Sequence, residues 1–381
     1  MQTQWNTGNP FPWYQDMLAN HPVWRDEEGS VHVFGYTDVS TVLSDYTRFS
    51  SNFGGADDPH HPISQSLIAT DPPRHRALRG LVSQGFTPKT IARLGPRIQE
   101  IATDLVDAMT GPSLDIIEAL AYPLPVIVIA ELLGIPAEDR EQFKRWSDTI
   151  VSGVHEAEQS HQVEIADPQR EMARYFHGTI EWRRQHPGTD LISDLLSATL
   201  DGEHLSSGEL LGFCVLLLVA GNETTTNLIG NTVDTLMDHS DKVYQRGPNP
   251  DEWSPVIEEV LRFRSPVQSM YRVCRIPTQL GGMELGLGDA LVAWIGSANR
   301  DPAQFEDPER FFPGRSANRH IAFGHGVHFC LGAPLARLEA SIALATLYTR
   351  FPHIARPDGA VPRPMLSSIV YGKEWLPVLL R

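Results

Sequence analysis

Phe323-Gly-His-Gly-Val-His-Phe-Cys-Leu-Gly332 is the stretch on which the reading of this chain turns. Glycines flanking a histidine, then a cysteine and another glycine, describe a backbone that must pass close to something flat or bulky. Leu331-Gly-Ala-Pro-Leu-Ala-Arg-Leu-Glu-Ala340 follows at once and reads as a helix with proline tolerated in its first turn. Cys330 therefore falls at a helix N-terminus, where the dipole and the free N–H groups favour a thiolate. The same residues also suit a structural cysteine buried beside a glycine-rich turn, and spacing alone leaves both open. A zinc site would need three or four protein ligands, yet Cys214 and Cys274 stand at no zinc-like spacing from Cys330. A dinucleotide-binding loop fails as well, because Gly324-His-Gly326 lacks both the third glycine and the preceding strand.

Composition narrows the field further. The chain has 381 residues, with 31 Lys and Arg against 47 Asp and Glu, a formal charge of −16. Such acidity argues against nucleic acid as the main partner, since phosphate binding needs a basic footprint. The 3 cysteines make no disulfide framework, which fits a reducing, cytoplasmic setting. Met1-Gln-Thr-Gln-Trp-Asn-Thr-Gly-Asn-Pro10 lacks the basic and apolar regions of a secretory signal. The most apolar run, Leu210 to Ala220, falls short of the ~20 residues that span a bilayer, so no membrane anchor is expected. Without repeats or a long linker, the expected organisation is one domain over 1–381.

Helical periodicity dominates the chain. Val31 to Tyr36 alternates like a strand and leads into a helix from Thr37, and 51–70 reads as loop. Helices are expected near 73–84, 88–110, 122–134, 137–152, 168–186, 189–200, 251–263 and 331–350, with short strands over 266–295. The longest candidate runs from Ser206 to about His239, roughly 50 Å at the helical rise, and Ser206-Ser-Gly-Glu209 has the form of a capping box. Its first half is apolar nearly all round, which predicts burial on every side. Midway, Ala220-Gly-Asn-Glu-Thr-Thr-Thr226 sets a glycine and a polar cluster inside that apolar helix, a local contradiction that needs a cause. Gly221 would loosen the helix and Thr224 would bond back to a freed carbonyl. The plainer alternative is a kink whose polar residues face water.

The pattern F-G-x-G-x-H-x-C-x-G, filled here at every position, resembles the cysteine-ligand loop of the cytochrome P450 family. That resemblance implies a mainly α fold with a small β region. Haem b would lie between a long distal helix and a proximal cysteine-loop helix, its iron on Cys330. Phe323, Gly324, His328 and Gly332 would shape the loop around it. His75 and Arg79, four residues apart on one helix face, are similar to the family's H-x-x-x-R pair and would bind the propionates with Arg272 and His328. Arg74 departs from the pattern, standing where the family usually has an acidic or polar residue. Glu259-Val-Leu-Arg262 resembles the family's E-x-x-R, with Arg315 in the irregular segment it braces; all three would be structural.

Ala220 to Thr225 resembles the family's A-G-x-[DE]-T-T. Ala220 and Gly221 would lie along the haem, Glu223 would relay protons, and Thr224 would hydrogen-bond the oxygen being activated or its water. The resemblance further implies a monooxygenase that inserts one atom of O2 into a fatty acid, terpenoid or steroid-like molecule. Its pocket would be lined by Leu67, Ile68, Leu216, Val219, Ala220, Val267, Gln268, Met270 and Ile369. Electrons would come from a soluble ferredoxin or flavodoxin with its reductase. These would dock on the basic helix of Arg74, Arg76 and Arg79 with Lys89 and Arg93 nearby. A peroxide-driven peroxygenase and a haem-binding sensor or carrier are the alternatives, and the Glu223–Thr224 pair counts against both.

Overall fold

A computed structural model of the chain describes residues 8–52, 66–139, 142–143, 145–146, 167–200, 202–239 and 247–381. Contacts gather the chain into two units. One comprises Met1–Ser50, Gly95–Leu124 and Thr224–Arg381, the other Ser51–Leu94 and Pro125–Glu223.

Every named strand belongs to the first unit. Its main sheet has the order Val23–Arg25, Val31–Val33, Ala290–Trp294, Ser269–Cys274, Phe49–Ser50. The pairing is antiparallel except between Val31–Val33 and Ala290–Trp294, where Val31 lies opposite Leu291 and Val33 opposite Ala293. Val31, Val33, Leu291, Ala293, Phe49 and Cys274 put their apolar side chains into one cluster with Val39, Val42 and Leu43 of helix Tyr36–Ser44. Burying each Val, Leu or Phe among them contributes about 1.5–3 kcal/mol. A second cluster is aromatic: Trp13, Tyr14, Phe34 and Trp294 meet between helix Phe11–Asn20 and the sheet. Pro10 and Pro12 stand at the start of that helix, where proline is tolerated.

The second unit is helical among the described residues. Arg74–Val82, all but the first two residues of Pro123–Leu132, Asp167–Gln185 and Leu191–Ser197 lie in it and stand where periodicity puts them. The helix expected over 137–152 lies largely outside the described residues; its beginning is a single turn at Ala137–Asp139.

The long helix runs unbroken from Ser207 to Asp238 over 32 residues. The capping box forms in both directions, with the Ser206 N–H donating to Glu209 Oε2 at 2.9 Å and the Glu209 N–H to Ser206 Oγ at 3.2 Å. By length and composition this helix could cross a membrane, but 61% of its most apolar window is buried inside the fold, as in a core helix. The helix continues through Gly221. A Cβ there would stand 2.5 Å from Ile129 Cδ1, so the glycine serves close packing between helices.

Candidate active site around Cys330

Glycine geometry fixes the cysteine loop. Gly324 and Gly326 adopt φ of +75° and +74°, which side chains of L-residues rarely enter. At Gly326 the constraint is double, because a Cβ would meet Ser44 Cα at 2.6 Å. Gly326–His328 then makes one tight turn, and the Cys330 N–H donates to Phe323 O at 2.8 Å, closing the loop on itself. Cys330 is only part-buried, and a Cβ on Gly332 would lie 4.0 Å from its sulfur. Helix Ala333–Arg350 takes Gly332 as N-cap, so Cys330 stands two residues outside the helix end, where the dipole still acts.

The other cysteines differ sharply. Cys214 lies in the apolar half of the long helix, and burial pushes its thiol up to about 12. Cys274 is a core strand residue whose sulfur donates to Ile276 O at 3.1 Å, and burial raises its pKa too. Neither is poised to ionise.

One helix carries two consecutive carboxylates, and the loop depends on both. Glu259 is wholly buried in helix Ser254–Phe263 and receives Arg262 Nη2 at 2.8 Å and Nε at 3.0 Å. Arg315 Nε, the Phe312 N–H and Asn318 Nδ2 complete its shell, at 3.3, 3.0 and 3.2 Å. Arg262 also donates to the carbonyls of Asn299 and Pro308, which ties this helix to the irregular segment before the loop. The E-x-x-R pair is therefore a saturated buried network. Its neighbour Glu258 receives Arg337 Nε at 2.6 Å, Arg337 Nη2 at 2.9 Å and His320 Nε2 at 3.0 Å. Burial alone would raise the Glu258 pKa, but hydrogen bonds from Arg337 and His320 outweigh it and hold the carboxyl at about 2. Glu258, His320 and Arg337 went unnoticed in the sequence because their partners lie 62 and 79 positions apart.

Of the other expected site residues, Arg272 is buried on strand Ser269–Cys274 and donates to Tyr271 O at 2.7 Å, while His328 is half-buried in the loop turn. His75 is buried and Arg79 half-buried on helix Arg74–Val82; burial and then the Arg79 charge push the His75 imidazole down to about 4. Glu223 and Thr224 are half-buried midway along the long helix; Gly221 is half-buried and Ala220 exposed just before them. Phe323 and Gly332 are half-buried.

The Val267–Val370 bridge and the bond from the Gln268 N–H to Ile369 O bring Val267, Gln268 and Ile369 together, with Met270 two residues on. Gln268 is fully buried and its amide is committed to the Tyr14 hydroxyl and Ser265 O, which leaves it little to offer a ligand. Leu67 is buried, whereas Ile68, Leu216 and Val219 are half-buried.

Arg74 is corrected by the structure. Its guanidinium binds Glu209 Oε1 and Glu203 Oε2, both at 2.6 Å, so its charge is neutralised within the fold and is not free for docking.

A family model described as Cytochrome P450 matches residues 254–374. The putative cytochrome P450 YjiB of Bacillus subtilis (strain 168) is 44% identical over 370 residues, spanning 96% of this chain and 92% of the relative. This chain belongs to the cytochrome P450 family. A second P450, the erythromycin C-12 hydroxylase of Saccharopolyspora erythraea, is 40% identical over 371 residues, 96% of this chain and 93% of its own. Substrate-free CYP109E1 from Bacillus megaterium matches with a TM-score of 0.90 at 43% identity, covering 98% of this chain and 99% of that one. Its complexes with testosterone and corticosterone match at 0.86 and 0.88, with the same identity and with 98% or more of each chain covered. The chain is thus an oxygen-incorporating oxidoreductase of the P450 fold, and haem-thiolate iron is the prosthetic group of its family.

The residues present fit that group. Among the described residues no set of three or more His, Cys, Asp or Glu converges as a metal site. A porphyrin brings its own nitrogens and asks the protein for a single strong ligand. Cys330 is the one part-buried cysteine, in a loop whose backbone conformation calls for glycine at 324 and 326.

Proposed function

We propose that Cys330 is the thiolate ligand of haem b and that the enzyme, acting as one functional domain over 1–381, hydroxylates a lipophilic, steroid-like small molecule with O2. The geometry of the Cys330 loop carries this reading. Thiolate-ligated haem, when bound, supplies the activation of dioxygen. Phe323, Gly324, His328 and Gly332 would shape the proximal side, while Ala220 and Gly221 would lie along the macrocycle. His75, Arg79, Arg272 and His328 would bind the propionates. His75 would give an N–H to a carboxylate, with Arg79 and Arg272 supplying fixed positive charge.

Glu223 and Thr224 are the catalytic residues of this proposal. Glu223 would take a proton from solvent and Thr224 would hold it at its hydroxyl, so that protons arrive singly and bulk water is excluded. Leu67, Ile68, Leu216, Val219, Val267, Met270 and Ile369 would give the substrate an apolar lining, with Gln268 behind them as a spacer. The two steroid complexes of CYP109E1 support this choice over a fatty acid or terpenoid. A cytoplasmic ferredoxin or flavodoxin with its reductase would supply electrons. Arg76, Lys89 and Arg93, all exposed, remain as docking cations once Arg74 is set aside.

The test is turnover of a steroid panel with NADPH and a surrogate ferredoxin system. Hydroxylated product is expected, dependent on O2. Thr224→Ala should lower product roughly ten- to a hundred-fold while NADPH consumption continues. Turnover with peroxide alone, unaffected by Thr224→Ala, would point to a peroxygenase; spectral binding without product under any condition would point to a sensor or carrier.

A further inference from the structure

Phe323 opens the cysteine loop, and its carbonyl holds the Cys330 N–H at 2.8 Å. What holds Phe323 is a cation. The Arg337 guanidinium lies over its ring at 4.4 Å from the centroid. Arg337 would be free to swing away but for Glu258, which grips two of its nitrogens at 2.6 and 2.9 Å in a fork-to-fork pair. The second Glu258 oxygen also takes His320 Nε2 at 3.0 Å, and the His320 ring stands 6.3 Å from that of Phe323. The Ala322 N–H points at His320 Nδ1 at 3.3 Å, which makes Nδ1 the acceptor and Nε2 the donor to Glu258. Phe323 is thus flanked by a cation on its face and by an imidazole, both tied to one carboxylate. The E-x-x-R network of Glu259 reaches the segment before the loop but contributes none of these contacts.

We propose that Glu258, Arg337 and His320 are positioning residues that fix a guanidinium over Phe323, and that this cation sets how readily the iron held by Cys330 accepts an electron. The inference rests on Cys330 being the ligand. A fixed positive charge beside the thiolate loop favours the more negative, reduced form of the haem–thiolate unit, and Glu258 partly cancels it. The two residues therefore act in opposite directions on the potential, although they act together on geometry. A simple brace would have no such signature.

The experiment is a redox titration of the substrate-free holoenzyme as wild type, Arg337→Gln, Glu258→Gln, the double variant and Arg337→Lys, each with its reduced CO spectrum. Arg337→Gln should shift the midpoint potential negative; Glu258→Gln keeps an amide oxygen that still accepts from Arg337, so it removes the negative charge while the guanidinium stays, and should shift the potential positive. The double variant and Arg337→Lys should both return toward wild type, the latter because it keeps the charge. Unchanged potentials, or single substitutions moving the potential in the same direction, would overturn the proposal. A wild-type protein lacking the thiolate-type CO spectrum would instead overturn the Cys330 assignment beneath it.

Discussion

The two halves of the long helix differ in polarity, yet both are largely buried. Upstream, Leu210, Phe213, Cys214, Val215 and Leu218 are buried, at 3% exposure or less. Downstream, Asn222, Asn227, Asn231, Thr232, Asp234 and Thr235 are all buried, at 3% exposure or less. Part of the polar half has specific partners, whereas the Asn227 amide and the Thr226 hydroxyl have none among the described residues. Thr232 and Thr235 donate to their own helix at Leu228 O and Asn231 O. Asn231 Nδ2 donates to Tyr371 O at 3.0 Å, and Gly372 has no Cβ because one would overlap the Asn227 amide. Asp234 gathers Arg264 at 2.9 Å, Arg356 at 2.8 Å and Lys373 at 3.6 Å. Hydropathy alone therefore does not decide burial along this helix.

This contrast can be broken at either half. The largest effect is expected at Asp234→Ala, which strands buried cations and should cost about 3 kcal/mol in denaturant unfolding. A loss below about 1 kcal/mol would mean that Asp238, which also binds Arg264 and Arg356, carries the cluster alone. A smaller effect is expected at Cys214→Ser in the apolar half. A hydroxyl buried there without a partner should cost about 1–2 kcal/mol and leave the reduced CO spectrum unchanged. A change in that spectrum would show that the apolar half is more than a wall.

How much of this was legible in the sequence depends on the distance over which each signal acts. The cysteine loop, the capping box at Ser206 and Glu209, and the Glu259–Arg262 pair are local patterns, and each forms as its spacing requires. Strands of two or three residues, such as Phe49–Ser50 and Ile354–Ala355, are too short to show a period. The apolar run before Ala220 predicts burial and is largely buried; the polar run after it suggests exposure or a kink, and most of it is buried instead, because hydropathy is blind to partners such as Arg356 and Lys373. Arg74 read as a docking charge for the same reason, since its acids at Glu203 and Glu209 lie more than a hundred positions away. Glu258 was hidden by its neighbour, whose motif drew attention while its own partners sat in two other segments.

The central claim is that Cys330, alone among the three cysteines, is the ligand to iron. The direct measurement is the absorption spectrum of the reduced CO complex of Cys330→Ser beside the wild type. The wild type should give the thiolate-type band, and Cys330→Ser should lose it entirely even where haem is retained. Persistence of that band in Cys330→Ser would contradict the account.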